Sequence, residues 1–450
     1  VIKYYEIGKE REENDITGDK KKGILMGILI GCVVTAGLFG IWSKVKDFEF
    51  GKKETEYEHV IMGWDYLADK KFVSEKSAES GYNTVAPLWY KIEGSKSDID
   101  GVRLKITSDS EYVNLAHKNG YKVWAMLSDG FSPTRSRLIF ENEDKMNSII
   151  DTIVEDVDAK GIDGVNVDFE GDGRKNREGF TRFVSILSQK LKESGKVISV
   201  DVTGYDSYSL SSYYDRAELS KMCDYIILMG YDEHWSGSKV AGSVSSIGWV
   251  KGNIESTLEE VPPEKLVLGI PFYTRTWRVV EGQGVEVTNA FVNVRKAPST
   301  DGEKLASVKK GTFYKLLGSV DGEEIAGSSK WYSINYNGSE AYVHSKYVSA
   351  LDYGNEGRAS SKAHAIRIQN NMLKEKNMQV ALDEASGQNI AVYENGDGSL
   401  TKIWLEDETA IKKRMEIVKE LGLAGVSAWR LGYEDESTWK HVVEGLYGEK

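Results

Sequence analysis

Eight short, β-rich apolar runs, separated by longer charged segments at helical spacing, predict an α/β chain wound as a (β/α)8 TIM barrel. The runs are residues 59–64, 84–89, 122–127, 164–170, 197–202, 225–231, 266–272 and 425–431. Most are nearly continuous in apolar side chains, the pattern of parallel strands covered on both faces. Between them, residues 144–159 set Met146, Ile149, Ile150, Ile153, Val154 and Val157 along one helical face, and 180–191 and 408–421 are amphipathic in the same way. An open doubly wound sheet competes with the barrel, but no G-x-G-x-x-G turn follows an early run.

The first fifty residues differ from the rest. Residues 23–43 contain no charged side chain, and at a rise of about 1.5 Å per residue they span a ~30 Å hydrocarbon layer. Lys20, Lys21 and Lys22 precede the run, and Lys44 and Lys46 follow it. The expectation is a cytoplasmic segment 1–22, a transmembrane anchor 23–43 and a linker 44–57, giving a single-pass cell-membrane protein with an extracytoplasmic catalytic body. A cleaved signal peptide competes, but the run exceeds the usual ~7–15 residues and no clear A-x-A site follows.

Residues 1–50 carry eight basic and eight acidic side chains, so the net charge of −12 belongs to the remainder, with 50 basic and 62 acidic. An acidic body has no basic footprint for nucleic acid. Cys32 lies in the apolar run and Cys223 alone in the body, which gives no disulfide framework. The six histidines show no zinc-ligand spacing, so neither metal nor cofactor is expected.

The rhythm breaks once. About 150 residues separate the seventh and eighth runs, too many for one βα connection. Within them, residues 286–350 read as short strands with turns at Asp301-Gly302, Asp321-Gly322 and Asn337-Gly338. The expectation is a small all-β unit inserted into a barrel made of residues 58–285 and 351–450.

The chemistry concentrates in residues 163–170, DGVNVDFE. Strand alternation puts Asn166, Asp168 and Glu170 on one face, pointing into the barrel, with Glu170 emerging at its C-terminal mouth. Inward carboxylates are costly without partners or work, and a salt-bridge or metal-binding cluster would also account for them. Two considerations favour catalysis. Asp168 and Glu170 repel, so one should keep its proton near neutral pH and serve as a general acid. Tyr231-Asp232, Trp64 and Trp429, at other strand ends, supply a lining suited to sugar rings.

Residues 163–170 resemble the D-G-x-D-x-D-x-E signature of glycoside hydrolase family 18, the chitinase-like barrels. Met229-Gly230-Tyr231-Asp232 resembles that family's M-x-Y-D, and GVSAWRLG at 425–432 its final strand. The segments PLWYKIEG, VWAMLSDGF and KIWLEDETAIKKR look similar to the branch acting on peptidoglycan, including spore cortex-lytic N-acetylglucosaminidases. The insert resembles a bacterial SH3 domain, a module associated with cell-wall binding, and a wall peptide is its expected partner.

The resemblance implies substrate-assisted hydrolysis with retention of configuration. Glu170 would be the acid and then the base. Asp168 would hold the acetamido N–H, Tyr231 would fix the acetamido oxygen, and Trp429 would stack beneath the sugar. Asn166 stands where the family usually has Asp, which predicts retained activity with an altered pH profile. Asn166, Asp232, Trp64 and Trp277 complete the expected substrate contacts, and Asp163, of opposite parity, is expected to be structural. Peptidoglycan is the expected glycan and chitin the main alternative. A non-catalytic sugar-binding barrel and a metal-dependent hydrolase using Asp168 and Glu170 are the competing classes.

Overall fold

The computed structural model describes residues 58–170, 174–205 and 211–448. The expected anchor and linker lie outside these residues. No helix among the described residues is long and apolar enough to cross a membrane.

All eight barrel strands form, in the expected order: β1 Val60–Asp65, β2 Thr84–Gly94, β3 Lys122–Ser128, β4 Gly164–Asp168, β5 Val197–Thr203, β6 Tyr225–Met229, β7 Leu266–Pro271 and β8 Gly425–Trp429. Each pairs in parallel with the next, and β8 pairs back on β1, with Val60 opposite Gly425, to close the barrel. Strand Val102–Ile106 extends β2 as an antiparallel ribbon.

The amphipathic segments become the helices Glu143–Lys160, Arg177–Glu193 and Glu408–Glu420, which bury their apolar faces. Asn142 and Asp407 cap two of them through their side-chain oxygens, and Gly161 ends the first in a left-handed conformation. Asp163 is structural, as expected. It accepts from the Val123 backbone at 2.8 Å and pairs with His117 at 2.7 Å, at the opposite end of β4 from Asp168.

The long interval holds two nested sheets. The inner one has seven antiparallel strands running from Gln283 to Asp352, around a core that includes Val285, Val294, Ile334, Ala341 and Val343. The outer one was not anticipated from the sequence. Strands Tyr273–Val280, Arg358–Ala365, Gln379–Asp383, Gln388–Glu394 and Leu400–Trp404 form an antiparallel sheet, with helix Ile366–Lys376 packed beside it. Its edge strand Gln379–Asp383 is short and almost wholly exposed, with Val380 and Leu382 open on one face, so it gives no buried run of the kind that marks the barrel strands.

The turn at Asn337-Gly338 forms as read, with φ of 52° and 84° suiting a tight hairpin. Asp321-Gly322 instead lies inside the long strand Phe313–Ile325, where the register shifts. The reversal falls at Ala326-Gly327, which takes the two positive φ values.

Candidate active site

The inward row of β4 is hydrogen-bonded to two other strands inside the barrel. The Trp64 indole N–H, from β1, donates to Asn166 Oδ1 at 3.0 Å. Asn166 Nδ2 donates to Ser199 Oγ at 3.0 Å and to Asp201 Oδ1 at 2.8 Å, both on β5. The amide is wholly buried, so it orders neighbouring side chains and does not face the open cleft as a substrate contact would.

Above this layer, Asp168 and Glu170 stand at and just beyond the end of β4. Burial comes first in raising Asp168 well above the usual carboxylate range, and the nearby charges of Asp201, Glu170 and Asp129 add to it. Asp201 is raised by the same burial, partly offset by hydrogen bonds from Asn166 and Trp64. Asp129, after β3, is pushed up to about 6 by burial, although Ser136 Oγ donates to it at 2.6 Å.

Tyr231 follows β6. Its ring meets Trp64 edge-on at 6.5 Å and Tyr273 at 6.1 Å. Burial and then the charges of Asp201, Asp168 and Glu170 hold its hydroxyl well above its ordinary value, so it remains a donor at neutral pH. Trp429 ends β8 and lies 5.8 Å from Trp64 and 6.1 Å from Tyr66. Asp232 adopts a left-handed φ of 68° and accepts from the Tyr273 hydroxyl at 2.6 Å. Tyr214 closes one side by donating to the Phe169 carbonyl at 3.0 Å.

Six expected residues therefore share one neighbourhood: Trp64, Asn166, Asp168, Glu170, Tyr231 and Trp429. Asp232 supports it through Tyr273. Trp277 does not join them. It is fully buried in the outer inserted sheet with Val279 and Ala359, its ring edge-on to His234 at 6.5 Å, and offers no face to a sugar.

Sequence reading missed Asp201, although Ser199, Asp201 and Thr203 alternate with Ile198, Val200 and Val202 as the signature residues do. Among the described residues, Glu408, His441 and Glu444 could gather on an ion, but Lys412 already lies 2.7 Å from Glu408 and 3.3 Å from Glu444.

A closed parallel barrel with clustered carboxyls and aromatics at its C-terminal mouth is the layout of a barrel glycoside hydrolase. Residues 35–434 match the model of glycosyl hydrolases family 18, and the chain belongs to that family. Among relatives, the uncharacterized glycosylase YvbX of Bacillus subtilis is 21% identical over 75% of this chain and 78% of its own. The cortical fragment-lytic enzyme of Bacillus anthracis is 20% identical over 77% of this chain and 65% of its own. The chitinase of Chromobacterium violaceum superposes with a TM-score of 0.60 at 18% identity, covering 86% of this chain and 99% of that one. The spore cortex-lytic enzyme SleL of Bacillus cereus gives 0.61 at 16% identity, covering 86% and 74%.

Proposed function

We propose that the chain hydrolyses β-linked, N-acetylglucosamine-containing glycans with retained configuration, using the substrate's own acetamido group as nucleophile. The observation that carries this is the clustering of Asp168 and Glu170 with a protonated Tyr231 hydroxyl, the Tyr231 and Trp429 rings both packing on Trp64. Glu170 protonates the leaving oxygen while the acetamido carbonyl attacks the anomeric carbon. Asp168 accepts from the acetamido N–H and balances the growing positive charge. Tyr231 donates to the acetamido oxygen and holds it in line. Ionised Glu170 then activates a water that attacks the anomeric carbon, breaking its bond to the acetamido oxygen and giving the product with retained configuration.

Bacterial peptidoglycan is the substrate we favour, supported by relatives named for cortex lysis. The inner inserted sheet is, on this reading, an SH3-like unit that holds wall peptide, and residues 23–43 are a membrane anchor whose support is the sequence alone. Chitin oligomers are the second reading, supported by the chitinase-like fold. Reducing-end release from purified peptidoglycan and from chitin oligomers decides between them. Turnover of chitin alone overturns the peptidoglycan assignment, and no turnover of either leaves a sugar-binding barrel.

A further inference from the structure

The hydrolytic scheme uses Asp168 and Glu170 and leaves a third buried carboxyl, Asp201, without a task. Asp201 is 1% exposed and sits on β5, beside the signature strand. Its Oδ1 accepts from Asn166 Nδ2 at 2.8 Å, and the same amide accepts from Trp64 at 3.0 Å. Trp64 in turn packs against both Trp429 and Tyr231. One side chain thus terminates a hydrogen-bonded row that runs from β5 through β4 to β1 and supports the aromatic floor and the tyrosine.

Asp201 faces N–H donors, the Asn166 amide at 2.8 Å first and the Trp64 indole beside it, which a neutral carboxyl satisfies with its carbonyl oxygen. Asp168 and Glu170 from β4, Tyr231 after β6 and Tyr214 from the neighbouring loop are the titratable groups in electrostatic contact with it. Two of these are carboxyls that exchange charge and protons during the reaction, and a third negative charge beside them would make Glu170 a weaker acid.

We propose that Asp201 is a positioning residue of the hydrolytic site: a buried carboxyl that fixes Trp64 through Asn166 and, holding its own proton, adds no third negative charge beside Asp168 and Glu170. The proposal rests on the roles given above to Asp168 and Glu170. Its burial and the Glu170 charge both act to hold the proton, consistent with this role. A carboxyl so placed is active in its protonated form, and its ionisation on the alkaline side switches the site off.

The experiment compares wild type, Asp201→Asn and Asp201→Ala in the full chain, on peptidoglycan and chitin oligomers across pH. Asp201→Asn keeps the acceptor and neutrality, so kcat on the acid side should stay within about threefold, while the alkaline limb moves to higher pH by about half a unit or more. Asp201→Ala removes the acceptor, and kcat should fall about tenfold or more with KM less affected. Infrared difference spectra should show a protonated carboxyl at pH 7 that is absent in Asp201→Asn. A tenfold loss in Asp201→Asn at acid pH, an unmoved alkaline limb, or no protonated carboxyl each overturns the proposal. Absence of hydrolysis by wild type is a different outcome, since it refutes the hydrolase reading itself.

Discussion

Trp64 and Asn166 face each other across the barrel floor, the indole N–H donating to the amide oxygen at 3.0 Å. Neither side chain is exposed, and the contact joins the first strand to the signature strand. An amide at position 166 can accept from Trp64 and donate to Ser199 and Asp201 at once, whereas an ionised aspartate could only accept.

Trp64→Phe tests that joint. The ring packing against Trp429 and Tyr231 stays, but Asn166 loses its donor. We expect kcat to fall roughly tenfold to a hundredfold with a smaller change in KM, measured on soluble oligomers. Equal kcat in the two proteins would refute a positioning role for Trp64.

Glu170→Gln should reduce kcat about a thousandfold while oligomer binding, followed by calorimetry, stays within a few-fold. Hydrolysis at the wild-type rate would move the acid to another residue.

Stability has a pH signature at Asp65, which burial pushes up to about 7 despite a 3.0 Å hydrogen bond from Tyr112. Because the folded value lies above the ordinary 3.8, its contribution is fully present below about pH 3.8 and is lost as pH rises through 7. Asp65→Asn, which cannot ionise, should therefore gain on wild type in melting temperature between pH 4 and pH 8, with an upper bound of about 4 kcal/mol. A difference that stays constant with pH would contradict the assignment.

Glu406 and Arg414 form a fully buried ion pair, with the guanidinium also donating to the Ser245 carbonyl after β6 and Gln388 donating to Glu406 at 3.0 Å. Arg414→Met strands the carboxylate and should cost about 3–5 kcal/mol by chemical denaturation. Adding Glu406→Leu should recover much of that loss. If the double variant is no better than the single, the pair is not the source.

Much of this was legible beforehand because barrel strands announce themselves. They are buried on both faces, so continuous apolar runs placed all eight, and the parity of Asn166, Asp168 and Glu170 oriented the signature strand. Glu406 and Asp407 stand side by side before a helix, at the place where an acid caps. Asp407 alone caps, because Arg414, two turns along the helix, pairs with Glu406 and draws it inward. Trp277 was placed at the mouth because it closely follows a barrel strand, but the chain there turns into the outer inserted sheet. That sheet escaped because its strands are short, partly exposed and split by the inner one. Asp201 escaped because a single acid in an apolar run carries no motif, and only the register of β4 against β5 brings it to Asn166.

The nested insertion has a consequence for how such a protein is assembled and altered. Strands Tyr273–Val280 and Arg358–Ala365 pair to their far ends, Val280 opposite Arg358, and Gln283 pairs with Asp352 just beyond. The chain leaves and re-enters at one doorway a single hairpin wide, and beside it the seven-stranded unit rests on the outer sheet, where Arg358 pairs with Glu286 at 3.2 Å and Arg278 donates to the Phe313 carbonyl at 3.2 Å. Replacing residues 281–357 by a short turn should give a folded enzyme that still cleaves soluble oligomers, and retention on insoluble wall material, measured by sedimentation, should fall.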